Sequence, residues 1–176
     1  VYVDGKFYPV TFGHQTSVTI PAGEHAISDG LKCYIKAQST FDVSFYLKDY
    51  TQMRSVVFAC GPLSYGSYAI GDWTEEVHLP IDLSRTTHYF YFLSNVSVYT
   101  SSRNRTVVCY GDSITAQDWP DYLKLRCQKE GYDHTAIIRR ATSGSRILRE
   151  YNCITYESYG LRGDHRFPHE VPTDGA

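Results

Sequence analysis

The stretch Arg105–Leu123, "RTVVCYGDSITAQDWPDYL", decides how the rest of the chain is read. A short apolar run, Thr106 to Tyr110, stops at Gly111 and is followed by Asp112 and Ser113. A continuous apolar run of that length suits a strand covered on both faces, as in a parallel sheet. Helix grammar comes next, with Asp118 as the N-cap and Asp121 three residues later. Ser113 therefore stands just past the carboxyl end of a strand, where open α/β sheets collect their chemistry. The turn exposes its hydroxyl and leaves its N–H free to donate to a developing oxyanion. Gly111 permits the tight reversal, having no Cβ to penalise unusual backbone angles. Asp112 can bond the amides of the turn and hold the loop. Gly-Asp-Ser is also an ordinary turn composition, so the tripeptide alone does not establish a nucleophile.

The text around it has two grammars. After a polar linker, Ser101 to Arg105, the order is strand, helix from about Trp119 to Gly131, and a second strand in "HTAIIRRA". "ILREY" reads as a helical turn. This is the opening of a doubly wound α/β sheet. From Val1 to about Ser102 the pattern is all-β. Asp4-Gly5 in "VYVDGKFYPVTF" signals a hairpin. "SVTIPAGEHAI" reads as strand, turn, strand. "LKCYIKA" alternates Leu31, Cys33, Ile35 and Ala37 against polar neighbours, as a half-buried strand does. "TFDVSFYL", "RSVVFAC", "EVHLPIDL", "THYFYFL" and "VSVYTS" continue the series, with Pro80 marking an edge strand or bulge. The expectation is a jelly-roll-like sandwich of about eight strands over 1–102, then the first portion of an α/β domain over 103–176.

Composition sets bounds. Of 176 residues, 42% are hydrophobic, enough for a core. A formal net charge of −2 shows no nucleic-acid footprint. No apolar run reaches the roughly 18 residues of a membrane span. The sixteen tyrosines suit β structure and surfaces that meet sugars. Five cysteines at long spacings, with no C-x-x-C, lack zinc-site grammar. Buried free thiols in a reducing, cytoplasmic compartment are favoured. Two disulfides plus one free thiol, in a secreted chain whose leader was removed, remain the alternative.

"VVCYGDSIT" resembles the first block of the SGNH hydrolases, also called GDSL esterases. In that family Gly-Asp-Ser-Leu/Ile follows the first strand and the serine is the nucleophile. "RRATSGSRIL", Arg139 to Leu148, resembles the second block, whose glycine N–H is an oxyanion donor; Gly144 takes that place. The resemblance implies a flavodoxin-like fold and a carboxylic-ester hydrolase with Ser113 as nucleophile and Gly144 completing the oxyanion hole. It needs no cofactor and no metal. Arg139 stands where the second block often has Asn. The third block (Gly-x-Asn-Asp) and the fifth (Asp-x-x-His, which supplies the base) are absent from this sequence. The resemblance thus covers Arg105 to about Ala176 and implies a partner, the remaining C-terminal part of the same domain, without which this chain is inactive. A β-sandwich ahead of such a domain is similar to the arrangement in some carbohydrate esterases that remove acetyl groups from sugars. That is analogy at the level of fold.

Other residues read as structural. Asp164-His165 and Asp133-His134 lack the Asp-x-x-His spacing, and His134 opens the second strand at the end opposite Ser113. His165 and His169 have a metal-like spacing on a helix, but Pro168 argues for a loop. Arg146 is read as a surface or salt-bridged arginine ahead of an anion-steering one. Trp119 is read as a buried helix-face residue ahead of an acyl-pocket wall, and "HYFYFL" as core packing ahead of a sugar platform. Cys109 lies inside the strand and is no nucleophile. Homo-oligomerisation is open. The rival class is a carbohydrate-binding β-sandwich with a non-catalytic tail.

Overall fold

The computed structural model describes residues 1–53, 56–58, 60–150 and 161–171. The chain folds as two units, Val1–Thr51 with Ala69–Ser84, and Gln52–Tyr68 with Arg85–Ala176.

In the first unit, β1 (Tyr2–Val3) is the middle strand of a small antiparallel sheet, flanked by β2 (Lys6–Phe7) and β3 (Phe41–Asp42). The hairpin between β1 and β2 turns on Asp4 (φ 49°) and Gly5 (φ 74°). Two consecutive positive φ values match the right-handed twist of the strands they join, which is why Asp-Gly is favoured there. Tyr2 and Val3 are buried. Tyr2 packs on Phe7 and its hydroxyl donates to the Glu75 carbonyl. The Asp29 carboxylate ties a second loop, accepting from Thr11 Oγ1 (2.7 Å), His14 N (2.8 Å) and Gly13 N (3.1 Å). Those donors hold its pKa below the ordinary 3.8.

Several expected strands take another form. Residues 31–36 alternate between half-buried and exposed, as the pattern requires, but form no ladder. Pro21 to Glu24 makes the expected turn (3.1 Å), while 17–20 are exposed and pair with no strand among the described residues. "EVHLPIDL" is no edge strand. Pro80 opens a turn whose carbonyl accepts from both Leu83 N (3.1 Å) and Ser84 N (3.0 Å). Part of "RSVVFAC" lies outside the described residues, as does Cys153.

The remaining short strands are β4 (Val57–Phe58), β5 (Gly66–Ala69), β6 (Ser84–Thr87) and β7 (Tyr89–Phe90). β4 pairs with β7 antiparallel, with the Phe58 and Tyr89 rings 5.3 Å apart, and β5 pairs with β6. The first hundred residues are thus β-rich, built in small sheets.

The second unit also holds the longest ladder. β8 (Arg105–Gly111) and β9 (Thr135–Ala141) pair parallel, from Arg105 opposite Thr135 to Gly111 opposite Ala141. A parallel pair needs a crossover, and α1 (Trp119–Lys129) supplies it. Asp121 sits in its first turn, Arg126 and Lys129 in its last, each suited to the helix dipole. The helix stops at Gly131 (φ 80°). Tyr132 N–H returns to the Cys127 carbonyl (2.8 Å) and Gly131 N–H to that of Gln128 (3.2 Å), a Schellman pattern. Cys109 is buried in mid-strand; burial pushes its thiol pKa up, with Arg139 opposing. Cys33, Cys60, Cys109 and Cys127 are free thiols, so two disulfides do not form.

Two expectations about α1 need correction. Asp118 occupies the N-cap position but makes no side-chain cap bond. Asp121 turns inward instead, accepting from Leu63 N (3.0 Å) and from Arg139 Nη2 (2.5 Å). Trp119 is 41% exposed; Pro120 takes the buried position. The Arg139 guanidinium, under the start of the helix, also donates to the Ala116 and Cys60 carbonyls, both at 3.2 Å.

α2 (Gly163–Glu170) is a third correction, because it runs through Pro168. A helix of two turns has few intrahelical bonds to lose to a missing N–H. "ILREY" forms a bend at 147–149 rather than a helical turn, and Tyr151 lies outside the described residues. Among the described residues, no helix is long and apolar enough to cross a membrane.

The Arg139–Asp121 pair has side-chain exposures of only 12% and 13%. Removing one partner leaves the other charge buried and unpaired. Asp121→Ala is therefore expected to cost about 3 kcal/mol, read from urea unfolding. An unfolding midpoint equal to that of the parent would contradict this role for the pair.

Candidate active site

The two loops that matter leave the sheet side by side. Gly111 and Ala141 are register partners at the carboxyl ends of β8 and β9. One more bond, Thr142 N to the Gly111 carbonyl (3.1 Å), extends the ladder into the loops. Ser113 lies two residues beyond Gly111, and Gly144 three beyond Ala141.

Ser113 is exposed on its turn. Asp112 builds that turn: its Oδ1 accepts from Ile114 N (2.9 Å), and its carbonyl accepts from Ala116 N (3.0 Å). Among the described residues the Ser113 amide has no acceptor. Gly111 works differently from the expectation, since its φ is not positive. The constraint there is space. A Cβ on Gly111 would lie 2.3 Å from Thr115 Oγ1 and 2.8 Å from Thr115 Cβ. The loop folds back onto the strand so closely that a Cβ here would force Thr115 to shift.

Gly144 is the residue whose backbone angles demand glycine. Thr142 to Ser145 is a turn closed by Ser145 N to the Thr142 carbonyl (3.1 Å), with Gly144 at its third position and φ 73°. Other residues meet a steric penalty there. The Gly144 amide also has no acceptor among the described residues.

α2 packs across these exits. Tyr110, beside Gly111, donates its hydroxyl to the Gly163 carbonyl and meets the Phe167 ring edge-on at 5.5 Å. Burial pushes the Tyr110 phenol up, with Arg166 opposing, so it stays a donor at neutral pH. Gly163 N reaches the Arg146 carbonyl (2.7 Å), and Asp164 N reaches that of Ile147 (3.0 Å). Arg166, 5% exposed, points into the junction. Its Nη2 donates to the Gly111 carbonyl (3.0 Å), its Nη1 to Thr142 Oγ1 (2.8 Å) and Glu170 (2.7 Å), and its Nε to Ser145 Oγ (3.3 Å). Its guanidinium carbon stands 4.8 Å from the Tyr110 ring centroid. Beside it opens a cleft of about 640 Å³, lined by Asp112, Ser145, Arg146, Ile147, Asp164 and Phe167 among others. Trp119 does not line it.

The histidines do not supply a base by any bond in view. His134 stands just before β9, its Nδ1 2.8 Å from Asn104 Oδ1, at the far end of a seven-residue strand and about 20 Å from Ser113. Asp164 is hydrogen-bonded by Arg162, which holds its carboxyl below the usual range. His165 follows it on α2, and neighbours in a helix do not face each other. His165 and His169 share a helix, contrary to expectation, but both are exposed. The described residues hold no group of three potential metal ligands.

Sequence reading missed Arg166 and Thr142. "GDHRFPHE" reads as a polar loop because of Pro168, and an arginine there reads as solvated. No family model matches this sequence, and no curated protein or solved structure matches it.

The space at Gly111 gives a direct test. Gly111→Ala is expected to cost about 1–3 kcal/mol through overpacking against Thr115, and Thr115→Gly in the same chain to return part of it. Thermal unfolding reads both. A Gly111→Ala protein as stable as its parent would show that the loop does not fold back as described.

Proposed function

We propose that the β8–α1–β9 region carries the nucleophile and oxyanion hole of a serine carboxylic-ester hydrolase of the SGNH/GDSL type. The observation that supports it is the shared exit of two loops, one presenting an exposed serine hydroxyl, both carrying amides with no acceptor among the described residues. Ser113 Oγ attacks the ester carbonyl as a base takes its proton. The carbonyl oxygen becomes an oxyanion and accepts from the Ser113 and Gly144 amides. The alcohol leaves with the proton from the base, and water then releases the acyl group. The base and its orienting acid come from residues not bonded to Ser113 in this structure, on a further segment of the domain or a second chain. This chemistry uses side chains and backbone alone.

In this proposal β8–α1–β9 is the first turn of a flavodoxin-like sheet, supported by its parallel pairing and helical crossover. The β-rich first hundred residues are a jelly-roll-like accessory sandwich. A carbohydrate acetyl ester is the substrate class that fits that pairing of parts. Tyr34 and Tyr50, 80% and 94% exposed, favour a second reading for the first unit, stacking of sugar rings.

In the full-length protein, Ser113→Ala is expected to lower p-nitrophenyl acetate turnover by about 10⁴-fold or more. Undiminished turnover would remove Ser113 from the chemistry. Glycan binding together with a Ser113 inert to fluorophosphonate would favour a binding module instead.

A further inference from the structure

We propose that Arg166 is a positioning residue, fixing the separation of the Ser113 and Gly144 amides; this rests on the esterase reading above. The observation is where its donors go. The Gly111 carbonyl is at the root of the Ser113 turn. Thr142 and Ser145 are the first and last residues of the turn that holds Gly144. One guanidinium bonds both sides, at 3.0 Å to the first loop and at 2.8 and 3.3 Å to the second. The loops share one ladder bond beyond the strands, Thr142 N to Gly111 O, and Arg166 donates to that same carbonyl.

The side chain is itself held on several sides. Glu170, four residues on along α2, accepts from Nη1 at 2.7 Å. The Tyr110 ring lies against the guanidinium, and Phe167 meets that ring edge-on. A planar fork with fixed donor directions ties two oxygens at a set spacing. A lysine ammonium offers charge and donors with no such geometry. An oxyanion hole works only when both amides meet one oxygen, and a misplacement of about 1 Å costs on the order of 10²-fold. Arg166 also lines the cleft, but its donors are directed to the two turns, and in this proposal it acts through them.

The test uses the full-length protein and p-nitrophenyl acetate. Arg166→Lys is expected to lower kcat about 10²-fold while KM changes less than about threefold. A residue serving only to hold the fold would lower the active fraction and the unfolding temperature together. Here the ¹⁵N–¹H resonances of Ser113 and Gly144 shift in the folded variant. Thr142→Val, which removes one bond and keeps the charge, is expected to lower kcat severalfold in the same direction. An unchanged kcat in folded Arg166→Lys overturns the proposal; should that variant not fold, an unchanged kcat in Thr142→Val does so. Ser113→Ala run alongside separates the two ideas. If it still turns over, the esterase reading has failed. If it is dead while Arg166→Lys keeps its kcat, only the positioning role has failed.

Discussion

One buried guanidinium joins the exits of β8 and β9. Taking Arg166 out of water costs several kcal/mol, and the ion pair with Glu170 and the bonds to Gly111, Thr142 and Ser145 offset most of it. Little net stability results from such an exchange. The gain is geometric: neither loop can drift without leaving a buried charge underbonded. Tyr110 makes the arrangement directional. Its hydroxyl anchors the first residue of α2, and its ring supports both Phe167 and the guanidinium.

A second arginine has a similar role at the other end of the Ser113 loop. Arg139 donates to Ala116, one of the few buried residues of this unit, and pairs with Asp121 in the first turn of α1. The same guanidinium and carboxylate hold Cys60 and Leu63 from the β-rich part of the chain. The loop is thus pinned at Gly111 by Arg166 and at Ala116 by Arg139, with Ser113 between the pins.

How much of this is legible in the sequence depends on range. Local signals were legible: Asp4-Gly5 made its hairpin, the apolar runs at 106–110 and 136–138 made strands, and the helix between them ended at Lys129, two residues short of Gly131, which takes the positive φ just beyond it. Gly144 was legible as a glycine, and its positive φ explains it. Gly111 is a glycine for another reason, because the contact with Thr115 depends on how the loop returns. Pro80 and Pro168 misled in opposite directions, one opening a turn where an edge strand or bulge was expected, the other tolerated in a short helix. Asp121 reads as the residue three beyond the Asp118 N-cap, yet its partner is eighteen positions away. Arg166 is the hardest case. Its burial is set by Tyr110, Gly111 and Thr142, which lie far from it along the chain, and no local pattern announces a charge at a core position.

The proposed oxyanion hole requires the Ser113 and Gly144 amides to face one point at which a negative oxygen can sit. The most direct measurement is a crystal structure of the protein with phenylboronic acid. Boron is expected to be bonded to Ser113 Oγ, with one boronate oxygen about 2.7–3.1 Å from both amide nitrogens. A boronate on Ser113 with the Gly144 N–H turned away, or its oxygen held by other groups, would contradict that claim.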